Sequence, residues 1–213
     1  FGLIHLMEKY QKATLPELAT MDSGSAVRVV GTGNEFFPHE TYRGIIRSNN
    51  DYLIASADVP LSAFEEALLK SDQQLEFSGT VESGNLNVHS FTLANGALNA
   101  LIRKGETRIM GTLIAYNKDT RRDGYVGLIA DNPGFIYPLQ WENGNVPEEL
   151  KESFSHLGKS LDVTGRVKSN GEYGTLVKTL GGINTFLAVE ETEIESSRKK
   201  GLYHPDTHFN LSQ

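Results

Sequence analysis

Three groups of residues in this chain have the types and spacing to do chemistry. His-Pro-Asp-Thr-His sets His204 and His208 four apart with Asp206 between them, a donor set that a divalent cation accepts. Pro205 works against the helix that would bring both rings to one face, so a solvated tail accounts for the spacing better. The paired carboxylates Glu65-Glu66 and Glu148-Glu149 fall in the first turns of predicted helices, where the dipole favours negative charge without any chemistry. Gly31 to Phe36, Gly-Thr-Gly-Asn-Glu-Phe, lacks the strand-to-helix context of a phosphate loop and reads as a strand bulge. No Gly-x-Ser-x-Gly, His-Glu-x-x-His or Asp/Glu cluster at ligand spacing occurs. The sequence therefore predicts a protein that is not an enzyme, with no catalytic residue, metal or cofactor.

A second pattern points to binding instead. Residues 111 to 129, GTLIAYNKDTRRDGYVGLI, read as a strand, a basic loop and a second strand, and FIYPLQW follows as a third. The first loop carries Lys118, Arg121 and Arg122, and a later loop, KSNGEYG, carries Lys168 and Tyr173. Tyr116, Tyr125, Phe135 and Tyr137 supply aromatic rings on the strands between. Rings beside cations are what a single-stranded nucleic acid needs, each stacked base contributing roughly 1–3 kcal/mol. The same rings also suit the inner wall of a small barrel, and Asp119, Asp123 and Glu172 neutralise the loop cations locally.

The elements that must position these residues come as an internal repeat. Tyr42, Gly44, Ile46, Tyr52 and Leu53 fall on Tyr125, Gly127, Ile129, Phe135 and Ile136 at a constant offset of 83. Further on, DVPLSAFEEALLKSDQQLEFSGTVESGN corresponds to NVPEELKESFSHLGKSLDVTGRVKSNG at an offset of 87 and then 86. A period of this length suits two tandem copies of one small domain better than a solenoid. In each copy a Gly-broken strand is followed by two more strands, a helix entered at Pro60 or Pro147, and two last strands. The last two are LEFSGTVES with LNVHSFTL in the first copy, and SLDVTGRVKS with YGTLVKTL in the second. The fold class predicted is all-β with short helices, as two tandem five-stranded OB-fold barrels, each with a helix between strands 3 and 4. The expected organisation is a helical segment over 1–23, barrels over 24–95 and 106–189, a link over 96–105 and a polar tail over 190–213.

Charge sets limits on partners. The net charge of −7 argues against coating nucleic acid by bulk electrostatics. The first copy has 4 basic against 9 acidic residues, and the second has 9 against 10, so a polyanion would meet the second. The chain has no cysteine and no apolar run long enough for a membrane helix, which leaves the compartment open with the cytoplasm favoured. Phe1 in place of methionine implies processing from something longer.

Gly111 to Lys118, Gly127-Leu128-Ile129 and Phe135-Ile136-Tyr137 together resemble the cold-shock branch of OB-folds, whose members bind single-stranded RNA or DNA. The resemblance covers about a third of the second copy. It implies a site on strands 2 and 3, with Phe135 at the family's aromatic position on the third strand and Tyr137 in place of its histidine. The two phenylalanines of the family's second strand are here Val126 and Leu128, and Tyr125 lies one residue out of step. In the first copy the third-strand positions are Tyr52 and Ile54, in an acidic surround that predicts poor nucleic-acid binding. The expected function is single-stranded nucleic-acid binding by the second barrel through Tyr116, Lys118, Arg121, Arg122, Tyr125, Phe135, Tyr137, Lys168 and Tyr173. The alternative is a protein-interaction or scaffold module that docks through the acidic first barrel, the N-terminal helix or the tail.

Overall fold

The structure, a computed structural model, describes residues 9–38, 40–94, 106–131, 135–151, 157–169, 173–174, 176–177 and 185–195. The expected link, the His-Pro-Asp-Thr-His tail and residues 1–8 of the expected N-terminal helical segment lie outside the described residues, and Gln11–Lys12, inside the run expected as helix, form a strand instead because they pair with Val27 and Arg28.

Alternation of apolar and polar residues builds two closed barrels of the same design. In the first, β2 (Ala26–Pro38), β3 (Tyr42–Ser48), β4 (Asp51–Ala57), β5 (Leu75–Glu82) and β6 (Asn85–Leu93) join in the order β2-β3-β4-β6-β5, and β5 closes back on β2. A two-residue strand, β1 (Gln11–Lys12), adds in parallel to β2. In the second, β7 (Glu106–Asp119), β8 (Gly124–Ala130), β9 (Ile136–Glu142), β10 (Ser160–Lys168) and β11 (Phe186–Ile194) close in the matching order. Both barrels pair their third and fifth strands in parallel and the other neighbours antiparallel, as an OB-fold does. The repeat reading holds at side-chain level, since Tyr42, Gly44 and Ile46 of β3 are buried and so are Tyr125, Gly127 and Ile129 of β8.

The helix α1 (Ala63–Lys70) lies between β4 and β5, and a second helix, α2 (Glu148–Lys151), holds the same place in the other barrel. Ser62 caps α1: its hydroxyl accepts from the Glu65 amide while the Glu65 carboxylate accepts from the Ser62 amide, a capping box. Asp72 and Gly158, where the two helices were expected to end, both have positive φ.

One difference from the sequence reading decides how the barrels meet. YGTLVKTL was expected as the last strand of the second barrel, but that strand is Phe186–Ile194, which runs into the stretch expected as tail. Tyr173, Gly174, Leu176 and Val177 instead lie against the first barrel. The Leu176 and Val177 amides donate to Glu65 Oε2 at 2.8 and 3.1 Å, and the Ser62 hydroxyl donates to the Tyr173 carbonyl at 2.7 Å. The Phe91 amide of β6 donates to the Leu176 carbonyl, and Val177 forms a parallel bridge with Phe91. The Tyr173 ring packs on Phe64 at 4.5 Å between centroids. A strand-like run was therefore legible, but its described residues Leu176 and Val177 pair with β6 of the other barrel, where the Glu65 carboxylate accepts their amides.

The helix α1 fills the rest of the contact. It packs on β2 on one side and on β7 and β8 on the other. A single buried cluster runs from the first barrel's interior through Phe64 and Leu68 to Ala115, Val126, Leu128 and Tyr173. Fully burying one such side chain contributes roughly 1.5–3 kcal/mol, so Phe64, Val126, Leu128 and Tyr173 alone amount to several kcal/mol. That is enough to hold the two barrels as one body rather than a hinge. Asn117 of β7 adds a polar contact, donating to the Ala63 carbonyl at 3.1 Å and accepting from Lys70 at 3.3 Å.

Gly174 is required by this packing. It has φ +93°, and a Cβ there would lie 1.9 Å from Glu65 Oε1. Gly24 has the same φ, but its Cβ would meet nothing within 4 Å. Gly24→Ala is expected to cost about 1–2 kcal/mol, as backbone strain alone. Gly174→Ala should cost about 2–4 kcal/mol, because it also displaces a buried hydrogen-bonded carboxylate; urea unfolding of the two variants measures the difference.

Burial also pushes the Glu65 carboxyl above the usual carboxylate range, outweighing the amide donors that favour its charged form. A raised carboxyl pKa means that the folded state keeps a proton the unfolded chain releases. Its contribution is full below about pH 4.5 and declines as pH rises through the folded value. The stability gap between the intact chain and Glu65→Gln should therefore narrow as pH rises above about 4.5; a gap that widens with rising pH contradicts this account.

Candidate nucleic-acid interface

OB-folds take ligands on the outer face of strands 2 and 3, between the loop joining strands 1 and 2 and the loop joining strands 4 and 5. In the second barrel that face is divided. Pairing sets Arg166, Ala188, Gln140, Val126 and Asn117 side by side across β10, β11, β9, β8 and β7. At the Asn117 end α1 covers the row. At the Arg166 end the row is open, and a groove of about 1020 Å3 lies over it.

The groove holds charge of both signs. Arg122 from the first loop and Arg166 and Lys168 from β10 line it, and so do Asp119, Asp123, Glu142 and Glu190. Arg166 lies 3.6 Å from Glu190, and Arg122 donates to Gln140 at 3.5 Å. The first loop is shaped by Asp119, whose carboxylate accepts from the Arg121 and Arg122 amides at 3.1 and 3.4 Å. Arg122 and Lys168, expected on one rim from the sequence, are brought together here. Lys118 and Arg121 are exposed beside the groove and do not line it.

The aromatic residues take other places. A bulge between Leu113 and Ala115 shifts the alternation of β7, so Tyr116 faces inward and Asn117 faces α1. Tyr116 stacks on Tyr125 at 5.3 Å and meets Trp141 edge-on at 5.9 Å, all three inside the barrel. Tyr125 and Trp141 reach the groove only at its floor. Tyr173 is buried at the inter-barrel contact, with its hydroxyl donating to the Thr185 carbonyl. Tyr137 is half-buried against the barrel interior, and burial, helped by Asp131, pushes its phenol up. Phe135 alone is well exposed, at 50%. It lies at the end of the β8–β9 ladder away from the Arg122 loop, seven residues or roughly 20 Å along the strand. The Val126 and Leu128 positions, aromatic in the cold-shock branch, are aliphatic here because they form the floor under the first barrel.

Arg166 and Gln140 were not singled out from the sequence. Arg166 was within reach, since strand alternation puts it on the same face as Lys168. On the first barrel the equivalent outer face is open, with Phe37, Tyr52 and Ile54 exposed at 67, 64 and 53%. Among the described residues no group of three or more His, Asp or Glu stands close enough to hold a metal ion, and no helix is long and apolar enough to cross a membrane.

No family model matches the chain, and no curated protein matches it. Solved structures that align with it include one reported as the tetrameric p202 HIN2, at 11% identity over 82% of this chain and 94% of that one, with a TM-score of 0.25. Two others are reported under "Molecular basis for abrogation of activation of pro-inflammatory cytokines" and "Structural mimicry for functional antagonism". The first is 12% identical over 82% of this chain and 94% of that one, with a TM-score of 0.26. The second is 13% identical over 84% of this chain and 100% of that one, with a TM-score of 0.27.

The Tyr116 hydroxyl is buried with no partner among the described residues, whereas that of Tyr173 is hydrogen-bonded. Tyr116→Phe should leave stability unchanged or raise it by up to about 1 kcal/mol, and Tyr173→Phe should lower it by about 1 kcal/mol. Thermal or urea unfolding of the pair checks whether these rings are structural.

Proposed function

We propose that the chain works by binding rather than catalysis, and that the groove of the second barrel receives an extended segment of a protein partner. The observation that carries this reading is the placement of the rings. Tyr116 and Tyr125 face the barrel interior, Tyr173 the inter-barrel contact, and the exposed Phe135 lies at the far end of the ladder, while the groove offers three cations and four carboxylates along one cleft. A polyanion gains from the cations and is repelled by the carboxylates, whereas a polypeptide can match both signs.

A second reading has an observation of its own. Arg122, Arg166 and Lys168 line the cleft between the two loops that flank OB ligand sites, with Arg121 and Lys118 beside it. Single-stranded DNA or RNA held there would rest on phosphate contacts, with Phe135 as a distant stacking platform, so its binding would fall steeply with salt.

The two readings separate by titration. Labelled single-stranded DNA and RNA are added to the intact chain at low and moderate salt and followed by fluorescence anisotropy. In parallel, a displayed library of random peptides is selected on the same chain and on Arg122→Ala/Lys168→Ala. The proposed reading expects selected peptides of mixed charge that lose at least about tenfold in affinity on the double variant, with no saturable oligonucleotide binding. Salt-dependent oligonucleotide binding that the double variant weakens would overturn it in favour of the second reading.

A further inference from the structure

We infer that the outer face of β2, β3 and β4 on the first barrel is a surface on which a second copy of this chain docks about a two-fold axis. The inference goes beyond the groove and stands whichever ligand the groove takes.

Register sets the face out in rows. Phe37, Arg43 and Ser56 share one row, Glu35, Ile45 and Ile54 the next, and Arg47 pairs with Tyr52 in the third. Among the described residues, three of the five large hydrophobic side chains that stand most exposed, Phe37, Tyr52 and Ile54, are therefore on one surface. Single exposed hydrophobics are ordinary, but a contiguous group rimmed by charge marks an interaction site. Part of the group is already held in place: Arg47 donates to Glu35 at 2.5 and 3.1 Å and lies 5.5 Å from the centre of the Tyr52 ring. The platform is thus ordered before any partner arrives, which lowers the cost of binding.

The rim says what the partner is. Arg43 forms no ion pair among the described residues, and it flanks a recess of about 480 Å3 beside Phe37 whose other charged residue, among those described, is Glu40. A protruding ring, a recess next to it and one charge of each sign with no ion pair among the described residues make a self-complementary surface. A two-fold axis beside Phe37 sets Arg43 of each copy against Glu40 of the other and each ring toward the opposite recess, the pattern of an isologous contact. A polyanion fits worse, because Glu35, Glu40 and Asp51 surround the same rings.

Size decides the strength. Three strands about 4.8 Å apart and seven residues long span roughly 15 by 23 Å, or about 350 Å2 in projection. Side-chain relief brings this toward, but not past, the roughly 800 Å2 per partner of a standard interface. The association is accordingly weak, with a dissociation constant on the order of micromolar to tens of micromolar.

Sedimentation velocity of the full chain over about 2 to 200 µM, a range bracketing that constant, tests it. The expected result is a monomer–dimer equilibrium that Arg43→Glu and Glu40→Arg each shift toward monomer by at least tenfold, and that the combined Arg43→Glu/Glu40→Arg chain restores. Phe37→Ser/Tyr52→Ser should also be monomeric, while Arg122→Ala/Lys168→Ala, in the groove, should dimerise like the intact chain. A chain that stays monomeric throughout, a dimer indifferent to the face substitutions, or a double charge reversal that fails to restore association each overturns the proposal.

Discussion

The arrangement of this protein depends on where one carboxylate goes. Glu65 belongs to the first turn of α1 and closes a capping box there, a role any surface helix can support. Here the carboxylate is fully buried and its second oxygen accepts two amides from the other barrel. An unpaired carboxylate in that position costs several kcal/mol, and so do unpaired amides. Each side therefore satisfies the other, and the segment from Tyr173 to Val177 is drawn out of the second barrel and onto the first.

The consequence for function follows from geometry. Once that segment and α1 lie over β7 and β8, half of the outer face on which an OB barrel takes its ligand is occupied by protein. What remains is the half over β9, β11 and β10, lined by Arg122, Arg166, Lys168 and the carboxylates facing them. Among the described residues the first barrel has no such cover, and its own strand-2 and strand-3 face leaves Phe37, Tyr52 and Ile54 exposed among charged neighbours. Two barrels of one design thus expose two different surfaces, and the difference arises from docking rather than from topology.

Much of this was legible in the sequence, and the limits have identifiable causes. Tyr42, Gly44 and Ile46 mapping onto Tyr125, Gly127 and Ile129 revealed the repeat because inward-facing positions of a barrel tolerate few side chains. Strand order followed from it. The direction of Tyr116 was not legible, since a bulge at Ile114 inverts the alternation and no residue type there announces it. The last strand was misplaced for a related reason: Leu176 and Val177 sit in a run that reads as a strand of either barrel, and Glu65, Ser62 and Phe91, all far away in sequence, hold them on the first. Val126 and Leu128 looked like lost stacking positions and are instead interface positions, a distinction that one chain read in one dimension does not carry.

The central claim is that the two barrels form one body locked at Glu65, and native-state amide hydrogen exchange by NMR tests it most directly. If the account holds, the Leu176 and Val177 amides exchange with the same free energy of opening as the Val126 and Leu128 amides of β8, because all four become exposed only in global unfolding. Exchange of Leu176 and Val177 at rates near those of an exposed loop, with β8 still protected, would contradict it.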